Sequence, residues 1–305
     1  MQKNCSPSWV LVGCTLLAAI FLPLQSSTAA TACVWRVTNA PAPFYLVGTV
    51  HALSGSDYPL PKAYDVAIHD SKQFFFEIDP DRKSGDEFSK RFAQAAAYPK
   101  GDDIRRHVHP QTWDFLQKRF RESNLLGGGW WFGEQYIPGL QNIRPWAIAF
   151  YMWGIHGYSD IHSELGVDNH IAYQARRQHK ACGALESNEE HVEVLRGMAD
   201  INSEILLLDT LVRGDKRKDD YKALRAGWKR GEVGVVEAQM LRERNLNLAG
   251  ELRLLDYRNL RWIAKIEGAI RSGVPTSIVV GTGHFCGPNN VRELLEKRGY
   301  KIEQL

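Results

Sequence analysis

The chain has 305 residues, 44% apolar and 24% charged, with a net charge of +3. That is the balance of a globular protein of one large domain or two small ones, which excludes a disordered chain, a collagen-like repeat and a coiled coil. The near-neutral charge supplies no clustered basic face for nucleic acid, five Cys make no disulfide scaffold, and ten His are a generous supply.

The first segment, 1–30, reads as a signal peptide. Lys3 precedes an apolar run from Trp9 to Leu24, and small residues follow to Ala32. That is the order of charged start, apolar core and cleavage region. The run is about sixteen residues, short of the ~20 that a spanning helix needs. Cleavage is expected after Ala30 or Ala32, with a membrane anchor as the rival reading and a lipid anchor at Cys14 or Cys33 as a third. The mature chain, 31–305, is expected to be one exported domain, periplasmic or secreted, with no transmembrane segment. Loss of Lys3 brings its charge to about +2 and leaves Cys33, Cys182 and Cys286. Cys182 starts one expected strand and Cys286 follows another. If those strands are parallel, the two lie too far apart for a bond, while Cys33 could reach either.

Val34–Val37 and Phe44–His51 read as strands joined by a hairpin turn over Asn39–Pro43. Pro61–Asp70 reads as a helix with Pro in its first turn. The apolar run Phe74–Ile78 suits a strand buried on both faces. The pattern from Gly85 to Gly157 is mainly helical, interrupted at Gly127–Phe132. Gly166–His179 reads as a helix and Ala181–Leu185 as a strand. Ser187–Met198 reads as a helix opened by a capping box of Ser187 and Glu190. Helices fill Ile201–Leu248, with a solvated turn of mixed charge near Asp215. A long helix from Gly250 to Ser272, a strand over Thr276–Gly281, a helix over Val291–Arg298 and a strand over Tyr300–Ile302 complete the chain. Strands alternating with helices predict an α/β fold: a mainly parallel central sheet flanked by helices, with a helical insertion between two βα halves.

Two segments are near copies. Tyr45-Leu46-Val47-Gly48-Thr49-Val50-His51 and Ile278-Val279-Val280-Gly281-Thr282-Gly283-His284 are each an apolar strand followed by Gly-Thr-x-His. Ligands of open α/β sheets sit beyond the carboxyl ends of the strands, where both His fall. Gly48 and Gly281 support a close approach to the backbone. Glu77 and Glu186 end two further strands. A carboxylate beside Phe74, Phe75 and Phe76 requires a partner or a metal. Two His with one or two carboxylates suit a divalent cation, Mn, Co, Fe or Zn. Such an ion activates water, and a Glu that does not bind it has the chemistry of a general base. The rival role for either Glu is to hold an Arg. Arg258 is the candidate: it flanks a stripe of Leu252, Leu255, Ile263, Ile266 and Ile270 that has Asn259 at its centre. It is expected either to bind a carboxylate or developing oxyanion, or to form a structural salt bridge.

The ordered set GTVH, FFFEID, LGVDNHIAYQARRQHKACGALES, YRNLRWIAKI and VVGTGHFCGPNNVRELLEKRGY resembles the TraB/GumN family, from Val34 to the end. That family is related to the Tiki metalloproteases and, more distantly, to erythromycin-esterase-like and ChaN-like haem-binding proteins. The resemblance implies His51, Glu77, Glu186, Arg258 and His284 as site positions and Asp168 as a support. It also implies metal-dependent hydrolysis of peptide bonds. Phe285-Cys286 stands where aliphatic residues are commoner in the family, a difference that bears on the substrate. The leading expectation is a metal-dependent hydrolase, with catalytic Glu77, Glu186 and Arg258, and His51, His284 and Glu77 on the metal. Its substrate would be a peptide or another small exported molecule. The alternatives are a binding protein for a peptide or haem, and an accessory protein of polysaccharide export.

Other candidates carry plainer readings. His107-Val108-His109 reads as an exposed loop. His156, His162 and His170 read as scattered polar residues at the surface, with a rival reading of His170 as a support behind a ligand. Trp130, Trp131 and Phe132 read as a packing anchor or an aromatic lid. No Ser elbow, P-loop or dinucleotide motif follows a strand.

Overall fold

The computed structural model describes residues 31–123, 137–155, 160–214 and 216–305. The leader with Cys5 and Cys14, the Gly127–Phe132 segment, His156 and Asp215 lie outside them. Six strands form one sheet: β1 (Val34–Val37), β2 (Phe44–Thr49), β3 (Gln73–Phe76), β4 (Ala181–Ala184), β5 (Thr276–Gly281) and β6 (Ile302–Gln304). Their order is β4-β3-β5-β2-β1-β6. The first four strands in that order are mutually parallel. β1 runs antiparallel to both of its neighbours, as the hairpin turn requires. The apolar run of β2 is buried at every position, and β5 nearly so, which requires cover on both faces.

The helices are α1 (Lys62–Asp70), α2 (Arg82–Ala96), α3 (Pro110–Ser123), α4 (Ile137–Leu140), α5 (Pro145–Ile155), α6 (Val167–Arg177) and α7 (Asn188–Arg196). They continue as α8 (Asp200–Arg213), α9 (Lys216–Lys229), α10 (Val233–Leu246), α11 (Leu248–Glu251), α12 (Tyr257–Arg271) and α13 (Val291–Glu296). The main apolar core joins the sheet to α1, α6, α12 and α13. Helix α5 is apolar around its circumference, the pattern of a buried helix. Ile148 and Met152 enter one helical cluster with Leu207 and Leu211. Trp146, Ala147 and Ala149 enter another with Val192 and Leu195. Among the described residues no helix is long and apolar enough to cross a membrane.

Three local readings change. The helix expected over Gly250–Ser272 is interrupted by a π-helical turn at Leu252–Asp256. The extra residue in that turn shifts the phase of the stripe. Arg258 and Asn259 are both buried in α12 with Ile263, Ile266 and Ile270, while Leu252 and Leu255 are only half-buried. The last strand starts at Ile302 rather than Tyr300, because β1 pairs with Ile302, Glu303 and Gln304. His107 is no loose loop residue: it stacks on Tyr98 at 4.5 Å and bonds Asp102 and Asp200. Cys33, Cys182 and Cys286 are all free thiols, the first and last buried.

Candidate functional site

The four parallel strands deliver their functional residues to one edge. Reading across β4-β3-β5-β2, the residues just beyond the carboxyl ends are Glu186, Glu77, His284 and His51. β2 and β5 are neighbours, so the two Gly-Thr-x-His loops meet although they come from opposite ends of the chain. Thr282 Oγ1 donates to Thr49 O at 3.0 Å and ties them together.

The motifs are not in register. Thr49, not Gly48, pairs with Gly281. Neighbouring positions on a strand point to opposite faces, so the two glycines do different work. A Cβ on Gly48 would lie 2.8 Å from Thr282 Oγ1; this glycine admits the other loop. A Cβ on Gly281 would lie 3.3 Å from His51 Nε2 and 3.4 Å from Glu77 Oε1. Its missing side chain leaves a small space bordered by an imidazole and a carboxylate.

Arg258 stands at the centre of the buried charges, only 6% exposed. Its Nε and Nη2 donate to Glu186 Oε1 at 2.9 and 2.6 Å. Nη2 also donates to Glu77, and Nη1 donates to Leu254 O at 3.1 Å. Burial opposes the charge on Glu77, but Arg258, with His51, outweighs it and holds the carboxyl well below its usual range. Glu186 follows the same balance: burial raises it, the His191 bond and Arg258 lower it further, and the net direction is down. Burial likewise opposes the Arg258 charge, and the two carboxylates more than restore it. Glu186 also accepts from Trp262 Nε1 at 3.2 Å. Its oxygens are thus occupied by donors behind Arg258.

Both imidazoles are oriented through Nδ1. Asn259 Nδ2 donates to Asn289 O at 3.1 Å, which leaves its Oδ1 to accept from His284 Nδ1 at 2.7 Å. His284 Nε2 therefore carries the lone pair and accepts from Arg258 Nη1 at 3.1 Å. Burial pushes His284 down to about 3, with Arg258 adding to the fall, so it is neutral. His51 Nδ1 donates to Asp168 Oδ1 at 3.0 Å, which turns Nε2 toward Gly281. Asp168 raises His51 to about 9. The ring itself is 69% exposed, because it stands in the cavity wall. Gly166 makes the Asp168 contact possible. A Cβ there would fall 2.3 Å from His51 O, and Val167 N donates to Val50 O at 3.0 Å, docking the start of α6 on the loop.

These groups border a cavity of about 2100 Å³. His51, Glu77, Asp168, His191, Arg258 and His284 line it, as does His162. His170 lies instead against the Tyr58 ring, with centroids 5.4 Å apart. His191 went unread in the sequence. It sits in the first turns of α7, five residues beyond Glu186, and bonds it at 2.8 Å; the capping box that sets the start of that helix was the available signal.

Among the described residues, one group of three donors has the spacing of metal ligands, and it does not include His51 or His284. Glu77, Glu186 and His191 bring three ligand atoms within 4.8 Å of one another, and Arg258 Nη2 bonds both carboxylates and lies 3.2 Å from His191 Nδ1. The space beside Gly281 offers His51 Nε2 and Glu77 Oε1, with His284 Nε2 3.8 Å from Glu77 Oε2. Imidazoles held through Nδ1 by Asp168 and Asn259 have the support that metal-binding His require. One guanidinium against two carboxylates leaves one negative charge.

A family model described as the TraB/PrgY/gumN family matches residues 33–304. The metalloprotease TIKI2 of Xenopus tropicalis is 24% identical over 323 residues, covering 88% of this chain and 59% of that protein. The chain thus spans less than two thirds of that relative's length. No solved structure matches.

Proposed function

The chain belongs to the TraB/PrgY/gumN family, and we propose that it is a metal-dependent hydrolase of peptides, working in the cavity at the carboxyl edge of the sheet. The observation that carries this reading is the pair of imidazoles from the two Gly-Thr-x-His loops. Each is oriented through Nδ1, and Glu77 lies near both. His51, His284 and Glu77 would hold Mn, Co, Fe or Zn. A bound ion of this kind polarises a carbonyl and brings the pKa of water toward 7.

The chain's own residues have separable tasks in this reading. Arg258 keeps Glu77 ionised and fixes its carboxylate. A carboxyl held so low is a poor general base at neutral pH and a good ligand. Glu186 keeps Arg258 in place, and Asp168 and Asn259 set the two imidazoles. Arg258 also lines the cavity and offers charge to a developing oxyanion. The helices between β3 and β5 serve as an insertion that walls the substrate space.

Export is part of the proposal. Ala32 is fully buried, and its backbone bonds Leu305 O and Gln304 Nε2. Cleavage after Ala30 would keep these bonds. The kinship with a metalloprotease supports peptide substrates.

The test incubates the full chain, loaded with Mn, Co or Zn, with a quenched fluorescent peptide mixture. Cleavage that EDTA and Glu77→Gln both abolish is expected. Cleavage that persists in EDTA, or none with any ion, overturns the reading.

A further inference from the structure

A second polar group stands on the wall of the same cavity. Helix α10 turns Val236, Gln239, Met240 and Glu243 toward it, the i, i+3, i+4, i+7 spacing of one helix face. Met240 marks the near end. Its Sδ would lie 3.1 Å from a Cβ on Gly283, in the loop that carries His284. Glu243 follows three residues later, ~4.5 Å along the axis at ~1.5 Å per residue. Glu251, on α11, also lines the cavity and is only 8% exposed.

No described residue hydrogen-bonds to the Glu251 carboxyl. Among the described residues, the nearby arginines pair with carboxylates other than Glu251. Arg244 donates to both Asp256 oxygens at 2.7 and 2.8 Å; Arg213 donates to Asp220 and stands 4.0 Å from Glu243 Oε1, which also accepts from Gln239 Nε2 at 3.2 Å. Burial pushes Glu251 up to about 8; Glu243 and Asp256 add to the rise and Arg244 opposes it. A buried carboxyl without a counter-ion is costly when charged. This one faces an open cavity, so the missing cation can come from a ligand.

We propose that Glu251 and Glu243 form a specificity subsite for a basic side chain of the substrate, a lysine or an arginine. The proposal rests on the peptide reading above and names the residue type that the cavity selects. Long basic side chains lay their methylene stem on apolar surface and extend the charged head. Val236 and Met240 offer that surface on the way from the His284 loop to Glu243. On meeting the cation, Glu251 gives up its proton to water and the two charges balance.

The test measures binding by calorimetry to the full chain in EDTA, where no metal-dependent turnover occurs. The probes are an acetylated, amidated alanine peptide with one central lysine, its norleucine counterpart, and the norleucine peptide with a free N-terminus. Wild type is expected to bind the lysine peptide roughly tenfold more tightly than the norleucine peptide, a difference of about 1.4 kcal/mol. In Glu251→Gln and in Glu243→Gln the preference should fall to about threefold or less. Glutamine matches the shape and neutrality of protonated Glu251, so that variant should keep the wild-type Tm. Equal binding of the two acetylated peptides overturns the proposal. So does a preference that survives in both variants, or no binding of the lysine peptide below about 10 mM. If the free N-terminus alone restores tight binding to the norleucine peptide, the subsite takes chain termini and the proposal also fails. A failed hydrolysis assay leaves this measurement intact, because binding in EDTA needs no metal.

Discussion

Replacing Arg258 by methionine tests the buried charge arrangement. The substitution keeps an apolar stem against Trp262, whose ring the guanidinium covers at 4.7 Å, and removes the cation. Glu77 and Glu186 are then left with side chains 13% and 3% exposed, near His191, His284, the half-exposed Arg261 and the Gly281 and Trp262 N–H groups. Removing one partner of a buried ion pair costs about 3–5 kcal/mol. For a chain of this size that lowers Tm by about 6–20 °C, at ~2–4 °C per kcal/mol. The loss has a sign with pH. In wild type both carboxyls are held below 4.5, so their contribution is present above that pH and is lost as pH falls through the depressed values. In Arg258→Met burial raises them instead, and the folded variant takes up protons. Its deficit should therefore be larger at pH 8 than at pH 5. The assay is thermal unfolding by circular dichroism in EDTA at the two pH values. A fall under about 3 °C, or one that does not change with pH, refutes the reasoning.

Gly281→Ala places a methyl between His51 Nε2 and Glu77 Oε1, at 3.3 and 3.4 Å. Divalent-ion affinity should drop about tenfold, ~1.4 kcal/mol, with Tm within a few degrees of wild type; titration calorimetry reads it, and unchanged affinity contradicts the placement. Gly166→Ala drives a Cβ against His51 O, so α6 must shift and Asp168 must leave His51. The expected loss is about 1–3 kcal/mol, read as the denaturant midpoint, with weakened ion binding. His107 is raised above 6.5: burial opposes the shift, and the Asp200 and Asp102 bonds outweigh it. Its contribution is complete below 6.5 and vanishes as pH rises through the raised value. The Tm gap between wild type and His107→Gln should be widest near about pH 6 and close by about pH 9; a constant gap contradicts it.

The strands were legible because a buried parallel strand is a short apolar run bounded by turn residues, as at Phe44–Thr49 and Thr276–Gly281. Their order was not written locally. It is long-range pairing that brings β5 between β3 and β2, and with it the two Gly-Thr-x-His loops. The one-residue offset between those loops is a property of sheet register, so the different tasks of Gly48 and Gly281 could not be read from two matching motifs. Arg258 and Asn259 were legible as polar residues interrupting an apolar stripe. The π-helical turn before them changes the helical phase, which no 3.6-residue pattern contains. Glu186 was legible as a strand-end acid with two rival roles. The structure surrounds its carboxylate with donors from Arg258, His191 and Trp262, and only the fold could supply that set.

Metal content measured by plasma mass spectrometry on gel-filtered protein tests the central claim most directly. Wild type, exposed to Mn, Co or Zn and then freed of excess ion, should retain about one divalent ion per chain. His51→Ala, His284→Ala and Glu77→Gln should each retain a small fraction of that while keeping a cooperative unfolding transition. Wild type that retains no ion, or folded variants that retain as much as wild type, would contradict the account.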